Sequence, residues 1–185
     1  FVDHHLAHAN CSYYLSGMKD ASIMIIDGQG EDVSGTMAVG KGNNIEIIKK
    51  FPIKDSLGYF YEAISEFIGF GAEAPGKLMG LASYGKPIYD FEQFSLTNDG
   101  YNTSLVLDSS HEKSLDQQQQ VMKAWLRILE LKFGKQNNLK MVFRPLYGDI
   151  YRNLVLSQIH KDIAASAQAK LEQLLLHLTK ILVKK

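Results

Sequence analysis

The chain has 185 residues, 45% of them apolar and 22% charged; this is the composition of a globular protein with one ordinary-sized core, and no apolar run reaches the length of a membrane-spanning helix. Twenty Lys and Arg offset twenty Asp and Glu for a formal charge of zero, so no global field favours nucleic acid or an anionic membrane, and any anion must be held locally. Cys11 is the single cysteine, which excludes an internal disulfide and fits a reducing, cytoplasmic setting.

Phe1-Val2-Asp3 runs at once into histidines with neither an initiator Met nor a signal peptide, so the sequence reads as a piece of a longer one. Residues His5 to Leu15 predict a short helix ended by Gly17. Ala21 to Ile26 is a compact apolar run that suits a buried strand stopped by Asp27-Gly28. Gly35 to Val39 and Ile45 to Phe51 can pair across Gly40-Lys41-Gly42-Asn43-Asn44, which makes a three-stranded meander. Ser56 caps a helix whose apolar residues Leu57, Phe60, Tyr61, Ile64, Phe67 and Ile68 recur at helical spacing, ending near Gly69 and Gly71. One short helix between two turns is expected from Glu73 to Pro87. Phe91 to Leu107 predicts a second hairpin turning at Asn98-Asp99-Gly100, and the polar stretch Ser109 to Gln120 leads into a helix carrying Val121, Met122, Trp125, Leu126 and Leu129. The region from about 90 to 150 reads as an insertion. A last amphipathic helix runs from about Ser157 to Leu182, roughly 40 Å at 1.5 Å per residue.

Chemistry concentrates near the start. His4 and His8 are four apart, so on a helix both imidazoles leave the same face one turn apart, as two ligands of one metal must; His5, three before His8, competes. An isolated pair would more often be surface or core histidines, but Asp27 ends a predicted buried strand, and a carboxylate with two imidazoles suits Fe(II), Mn(II) or Zn(II). The segment from Asp27 to Ser34 contains Gly28 and Gly30, whose bare backbone lets N–H groups approach an anion; with Glu31 and Ser34 these residues form a candidate nucleotide or phosphate cradle, against the plain alternative of a hairpin turn. Lys77, near a helix start, is a candidate cation for a substrate carboxylate or phosphate, against the alternative of a solvated lysine. Tyr59, Tyr61 and Glu62 read as packing and surface residues, and His111, His160 and His177 show no partner pattern.

Four motifs then stand in order: His4-His5-Leu6-Ala7-His8-Ala9, Asp27-Gly28-Gln29-Gly30-Glu31, Ser56-Leu57-Gly58-Tyr59-Phe60-Tyr61 and Gly76-Lys77-Leu78-Met79-Gly80-Leu81-Ala82-Ser83-Tyr84-Gly85. Together they resemble the O-carbamoyltransferases of nodulation-factor, tobramycin and cephamycin biosynthesis. Asp162-Ile163-Ala164-Ala165-Ser166-Ala167-Gln168 resembles the helix preceding that family's glycine-rich nucleotide-binding strand. The resemblance implies an α/β fold of the actin-like, sugar-kinase type (ribonuclease H-like), with a mixed sheet, packed helices and an inserted hairpin-helix segment, here as a single incomplete domain over residues 1–185. It implies transfer of a carbamoyl group from carbamoyl-adenylate, made from carbamoyl phosphate and ATP by a separate domain, to a hydroxyl of a small-molecule acceptor. It also implies a mononuclear metal held by His4, His8 and Asp27, completed by an aspartate from later in the chain. Roughly a third of such an enzyme would be present, by usual domain sizes, and this piece would bind metal weakly and not turn over.

A tRNA threonylcarbamoyl transferase shares the His-x-x-x-His helix, but Ser56 to Tyr61 and Lys77 to Gly85 fit the O-carbamoyl group better. A non-catalytic interaction domain with structural histidines is a third reading. A zinc hydrolase is a fourth, and it would want a Glu between the histidines where His5, Leu6 and Ala7 stand.

Overall fold

The computed structural model describes residues 2–107, 116–135, 139–144, 149–154 and 156–185. The elements in chain order are α1 (His4–Ser16), β1 (Asp20–Gly30), β2 (Val33–Lys41), β3 (Asn44–Pro52), a 3-10 turn (Ile53–Asp55), α2 (Leu57–Ile68), α3 (Pro75–Ala82), β4 (Phe94–Thr97), β5 (Gly100–Thr103), α4 (Gln117–Phe133), β6 (Leu139–Arg144), β7 (Asp149–Leu154) and α5 (Gln158–Leu182). They form two compact units: Phe1–Tyr59, Glu92–Val121 and Leu171–Lys185 make the first, and Phe60–Phe91 and Met122–Lys170 the second. No helix among the described residues is long and apolar enough to cross a membrane.

In the first unit β1, β2 and β3 make the expected meander with β2 in the centre. Ile23 pairs with Ala38 and Ile25 with Thr36, so strand alternation puts these four residues on one face. There α1 lays down Ala9 and Tyr13 to close a small apolar core with Ile23, Ile25 and Ala38. On β2 and β3 Gly35 stands opposite Phe51, and Phe51 stacks on Tyr101 of the β4–β5 hairpin with ring centroids 4.7 Å apart. That hairpin is tied to the 3-10 turn through Asp55, a buried carboxylate accepting from the Thr103 N–H at 2.9 Å and the Thr103 hydroxyl at 2.6 Å. The C-terminal part of α5 joins the same layer, with the His177 imidazole 2.8 Å from the Thr97 carbonyl.

The second unit is built around aromatic rings: Phe60 meets Phe91 at 5.0 Å and Trp125 at 4.8 Å between centroids. Its N-terminal stretch of α5 carries two sequence motifs together. Asp162 accepts from the Lys86 N–H at 2.8 Å and Gln158 Nε2 at 2.9 Å, and Ser166 Oγ accepts from the Tyr89 N–H at 3.0 Å. A Cβ on Gly85 would stand 1.9 Å from the Lys161 carbonyl oxygen, so the glycine ending the Ser83-Tyr84-Gly85 run is there for close backbone packing.

Three expectations change. Every described ladder is antiparallel, where a mixed sheet was expected; each described pair is joined by a hairpin, and a parallel partner requires a longer crossover. Strand β1 does not stop at Asp27-Gly28 but runs on to Gly30, and the turn falls at Glu31-Asp32. The hairpin expected over Phe91 to Leu107 has its turn at Asn98-Asp99, yet the region from 90 to 150 also holds β6–β7, a second hairpin that periodicity missed. Of the unassigned histidines, His111 lies outside the described residues.

Asp162 supplies a pH test. The Lys86 N–H and the Gln158 amide favour its ionised form and hold its carboxyl below the usual range, against a smaller opposing effect of burial. Its stabilisation is therefore present above the unfolded pKa of about 3.9 and is lost as pH falls through the lower folded value. Asp162→Asn is expected to lower Tm at pH 7, and the gap from the parent protein should close as thermal scans are repeated towards pH 3; a gap independent of pH would show that the charge is not what matters.

Candidate metal centre

The first turn of α1 is held from outside the helix. Asp3 caps it, its Oδ1 accepting from the Leu6 N–H at 2.9 Å while Oδ2 takes Lys50 Nζ at 3.2 Å. Glu31 accepts from the His4 N–H at 3.0 Å. Two of the N–H groups that a helix start leaves unpaired are thus satisfied by carboxylates, which the helix dipole also favours. The Leu6 N–H, with Lys50, holds the Asp3 carboxyl below its usual range. Glu31 sits at φ +49, a conformation that costs a residue with a Cβ about 1 kcal/mol or more. Its carboxylate on α1 is what a glycine there would lose.

With the helix start fixed, His4 and His8 leave α1 on one face and their rings meet edge to face, centroids 4.7 Å apart. Asp27 arrives through a bulge in β1. The ladder pairs Ile26 with Gly35 and Gly30 with Val33, so Asp27, Gly28 and Gln29 stand opposite Ser34 alone; the extra residues leave the ladder and re-aim Asp27 towards α1. His4 Nε2 then lies 3.0 Å from Asp27 Oδ2 and 3.1 Å from His8 Nε2. The three ligand atoms fall within 4.8 Å of one another. Burial opposes ionisation of Asp27, but the His4 imidazole and the Gly28 N–H outweigh it and keep the carboxyl below its usual range.

This trio fits a divalent ion on its chemistry. One Nε2 carries at most one proton, and one N–H cannot point well at two acceptors. The contacts His4 makes to Asp27 and His8 compete unless one cation lies among all three. Two imidazole nitrogens and a carboxylate oxygen are a donor set for Fe(II), Mn(II) or Zn(II). His8 is exposed and the other two half-buried, and a recess of about 390 Å³ lined by His8, Ser12, Met24, Ile25, Ile26 and Asp27 opens beside them.

His5 does not share that face. It is 1% exposed, its Nδ1 is 2.8 Å from Thr36 Oγ1 on β2, and its Nε2 has no hydrogen-bond partner among the described residues. Burial pushes this imidazole's pKa down, with the nearby Asp27 charge acting the other way. Helical spacing could not separate His5 from His4 as the partner of His8; the alternation of β2, which turns Thr36 to the α1 side beside Ala38, does.

The candidate anion residues are engaged inside the protein. Gly28 and Gly30 adopt no positive φ. A Cβ on Gly30 would lie 2.6 Å from both His4 Cδ2 and His5 Cδ2, and a Cβ on Gly58 would lie 2.7 Å from Gly28 Cα. Ser34 is buried and its hydroxyl donates to the Pro52 carbonyl at 2.9 Å. Ser56 Oγ, which caps α2 by accepting from the Tyr59 N–H at 3.1 Å, donates to the Gly28 carbonyl at 2.7 Å, and the Tyr59 hydroxyl donates to Gln29 Oε1 at 2.9 Å. The structure therefore brings three motifs together at residues 27–30: the histidine helix, the Asp27-Gly28 strand end and the Ser56-Leu57-Gly58-Tyr59 helix start. Lys77 is exposed on α3, in the other unit. Sequence reasoning missed Thr36 and Gly58; the same-face register with Ala38 was a signal for the first, and nothing local marked the second.

A surface trio of metal-ligand type on an α/β scaffold of antiparallel sheets and packed helices defines the class. The profile of the family described as Carbamoyltransferase N-terminus matches residues 1–185, and the chain belongs to that family. It is 33% identical over 182 residues to the nodulation protein NolNO of Sinorhizobium fredii, covering 96% of this chain and 22% of that protein. It is 29% identical over 181 residues to the nodulation protein NolO of Bradyrhizobium diazoefficiens, covering 95% and 27%. An uncharacterized protein of Methanocaldococcus jannaschii is 40% identical over 82 residues, 44% of this chain. The chain spans about a quarter of the length of the two nodulation proteins.

Because the atoms facing Gly58 are backbone, they cannot swing aside. Gly58→Ala is expected to cost about 1–3 kcal/mol, as overpacking does, and to move Asp27. A drop in the urea midpoint together with weaker Mn(II) binding is the expected pair of readings.

Proposed function

We propose that the protein to which this chain belongs is an O-carbamoyltransferase. It moves a carbamoyl group from carbamoyl-adenylate, itself made from carbamoyl phosphate and ATP, to a hydroxyl of a small-molecule acceptor, with a divalent metal held by His4, His8 and Asp27. The observation that carries the metal assignment is the pair of competing contacts at His4 Nε2, 3.0 Å to Asp27 and 3.1 Å to His8. Membership of the carbamoyltransferase family supports the transferred group. The sequence resemblance supports the adenylate donor, an actin-like scaffold and a fourth ligand from further along the protein, and the single cysteine supports a cytoplasmic setting.

A bound Fe(II), Mn(II) or Zn(II) would supply Lewis acidity and a template for the donor and acceptor. The chain's own residues would do the rest. Asp27 stays ionised, so it can act as a ligand without first losing a proton. Asp3 and Glu31 hold α1 at the pitch that aims His4 and His8 together, and Ser56 with Gly58 holds the strand end that carries Asp27. In the transfer the acceptor oxygen bonds to the carbamoyl carbon, the bond from that carbon to the phosphate oxygen breaks, and AMP leaves while the hydroxyl proton is released. Nucleotide or phosphate contact by the backbone at Gly28 and Gly30 belongs to this proposal, and so, separately, does contact of the exposed Lys77 with a substrate carboxylate or phosphate. The internal bonds of Glu31 and Ser34 give those two side chains a supporting part.

Two measurements test the reading. In the full-length protein, His4→Ala and Asp27→Ala are expected to lose bound metal and to lower carbamoyl transfer by at least about 100-fold, more than loss of an outer support would. Metal content equal to the parent protein in both variants would remove the metal reading and leave the histidines structural. Residues 1–185 expressed alone are expected to bind Mn(II) weakly and to show no transfer; turnover by that segment would sink the claim that the rest of the protein completes the site.

A further inference from the structure

Beside the metal site, and unused by the metal reading, lies a buried polar atom with no hydrogen-bond partner among the described residues, His5 Nε2. A ring that served only to fill space between α1 and the sheet would leave no unpaired nitrogen if it were Leu or Phe. Buried polar atoms without partners are uncommon and costly, so a feature that retains one calls for another explanation. The surroundings supply it. The side of Gly30 from which a Cβ would project faces both rings, 2.6 Å from His4 Cδ2, 2.6 Å from His5 Cδ2 and 2.9 Å from His5 Nε2. One point on β1 therefore limits how far either imidazole can rotate. The His4 and His5 rings lie 5.7 Å apart at 46°, and the far side of His5 is fixed by Thr36 Oγ1 at 2.8 Å on β2, where Thr36 is itself buried. A chain of contacts thus runs from the central strand through His5 to the strand end under His4.

We propose that His5 is a positioning residue for the metal centre: anchored by Thr36 and wedged against Gly30, it sets the orientation in which the His4 imidazole meets His8 and Asp27. This rests on the metal reading above and adds to it a support on which metal affinity depends. His5 does not touch the ion. Its effect passes through the backbone shared by consecutive residues of α1 and through the common seat on Gly30. Such outer supports typically alter metal affinity by about 10- to 100-fold when removed, because a ligand free to rotate must be ordered again on binding.

The test uses the full-length protein with Mn(II) and Co(II) as probes. Thr36→Val keeps the shape of the side chain and removes the hydroxyl that holds His5; Thr36→Ser keeps the hydroxyl. Gly30→Ala places a methyl group against both rings. The expected result is a 10- to 100-fold weaker Mn(II) affinity for Thr36→Val and Gly30→Ala, a changed visible spectrum of the Co(II) forms, and recovery of both in Thr36→Ser. A role in folding alone would move the Tm of the metal-free protein and leave the Co(II) spectrum of the folded fraction as in the parent, which overturns the proposal. So would parental affinity in both Thr36→Val and Gly30→Ala. Should Gly30→Ala fail to fold, the comparison of Val with Ser at position 36 decides alone. His4→Ala separates the two levels: loss of metal in His4→Ala with none in the Thr36 and Gly30 variants refutes the positioning role only, whereas parental binding in His4→Ala refutes the metal site and His5's part in it together.

Discussion

Gly58 and Gly28 meet backbone to backbone, in a contact that a side chain at position 58 would break, since a Cβ there would stand 2.7 Å from Gly28 Cα. The rest of the candidate site hangs from it. Gly28 lies in the bulge that lifts Asp27 out of the β1–β2 ladder, and a bulge whose extra residues hydrogen-bond to nothing would be free to shift. Here Ser56 Oγ holds the Gly28 carbonyl, the Tyr59 hydroxyl holds Gln29, and the glycine contact closes the gap between the two chains. One serine thereby does two jobs, capping α2, worth about 1 kcal/mol in typical helices, and locking the strand end that presents a carboxylate.

The pair formed by His4 and Asp27 is not there for stability. Their side chains are 42% and 38% exposed, and pairs of that kind contribute about 0–1 kcal/mol. Around them the protein accepts costs larger than such a pair offsets: a left-handed Glu31 beside α1 and, beneath it, a His5 nitrogen without a hydrogen-bond partner among the described residues. Local arrangements that break the ordinary rules without a compensating gain in packing are where function is expected. The same comparison explains why the trio sits on the surface. Under the proposed function, ligands that accept an ion beside an open recess cannot be sealed in a core, so their order has to come from the layer behind them.

The periodic parts of this fold were legible in the sequence. The meander, the capped α2, the turn at Asn98-Asp99 and the long α5 with Ile163, Ala167, Leu174 and Leu178 inward all follow from apolar spacing and turn chemistry. The grouping of His4, His8 and Asp27 was legible too, since helical spacing and the close of an apolar run are local features. What spacing could not supply was the role of glycine. Gly28, Gly30 and Gly85 read as turn or anion-loop residues because those are the local uses of glycine, and Gly58 read only as part of a helix-start motif, whereas here each permits a contact with a segment distant in sequence or with an imidazole. The position of Asp27 shows the same limit: the run of apolar residues ends before it, but the strand does not, because the ladder resumes at Gly30 after a bulge that no local signal marks.

The charges at this end of α1 bear on the order of events under the proposed function. Asp3, Glu31 and Asp27 place three carboxylates about the helix start, and Lys50 is the cation bonded to one of them. Charges farther away than a Debye length of about 8 Å at physiological salt are largely screened, so this local set governs the field at the helix start. Under that proposal, an adenylate approaching the metal-free trio meets repulsion. A divalent ion held by the trio would cancel the local excess of negative charge, and the carboxylates that shape the helix start would favour its retention. Under the proposed function, the groups that fold α1 would thus also favour a cation at the trio, which couples the architecture of the first turn to the chemistry proposed for it.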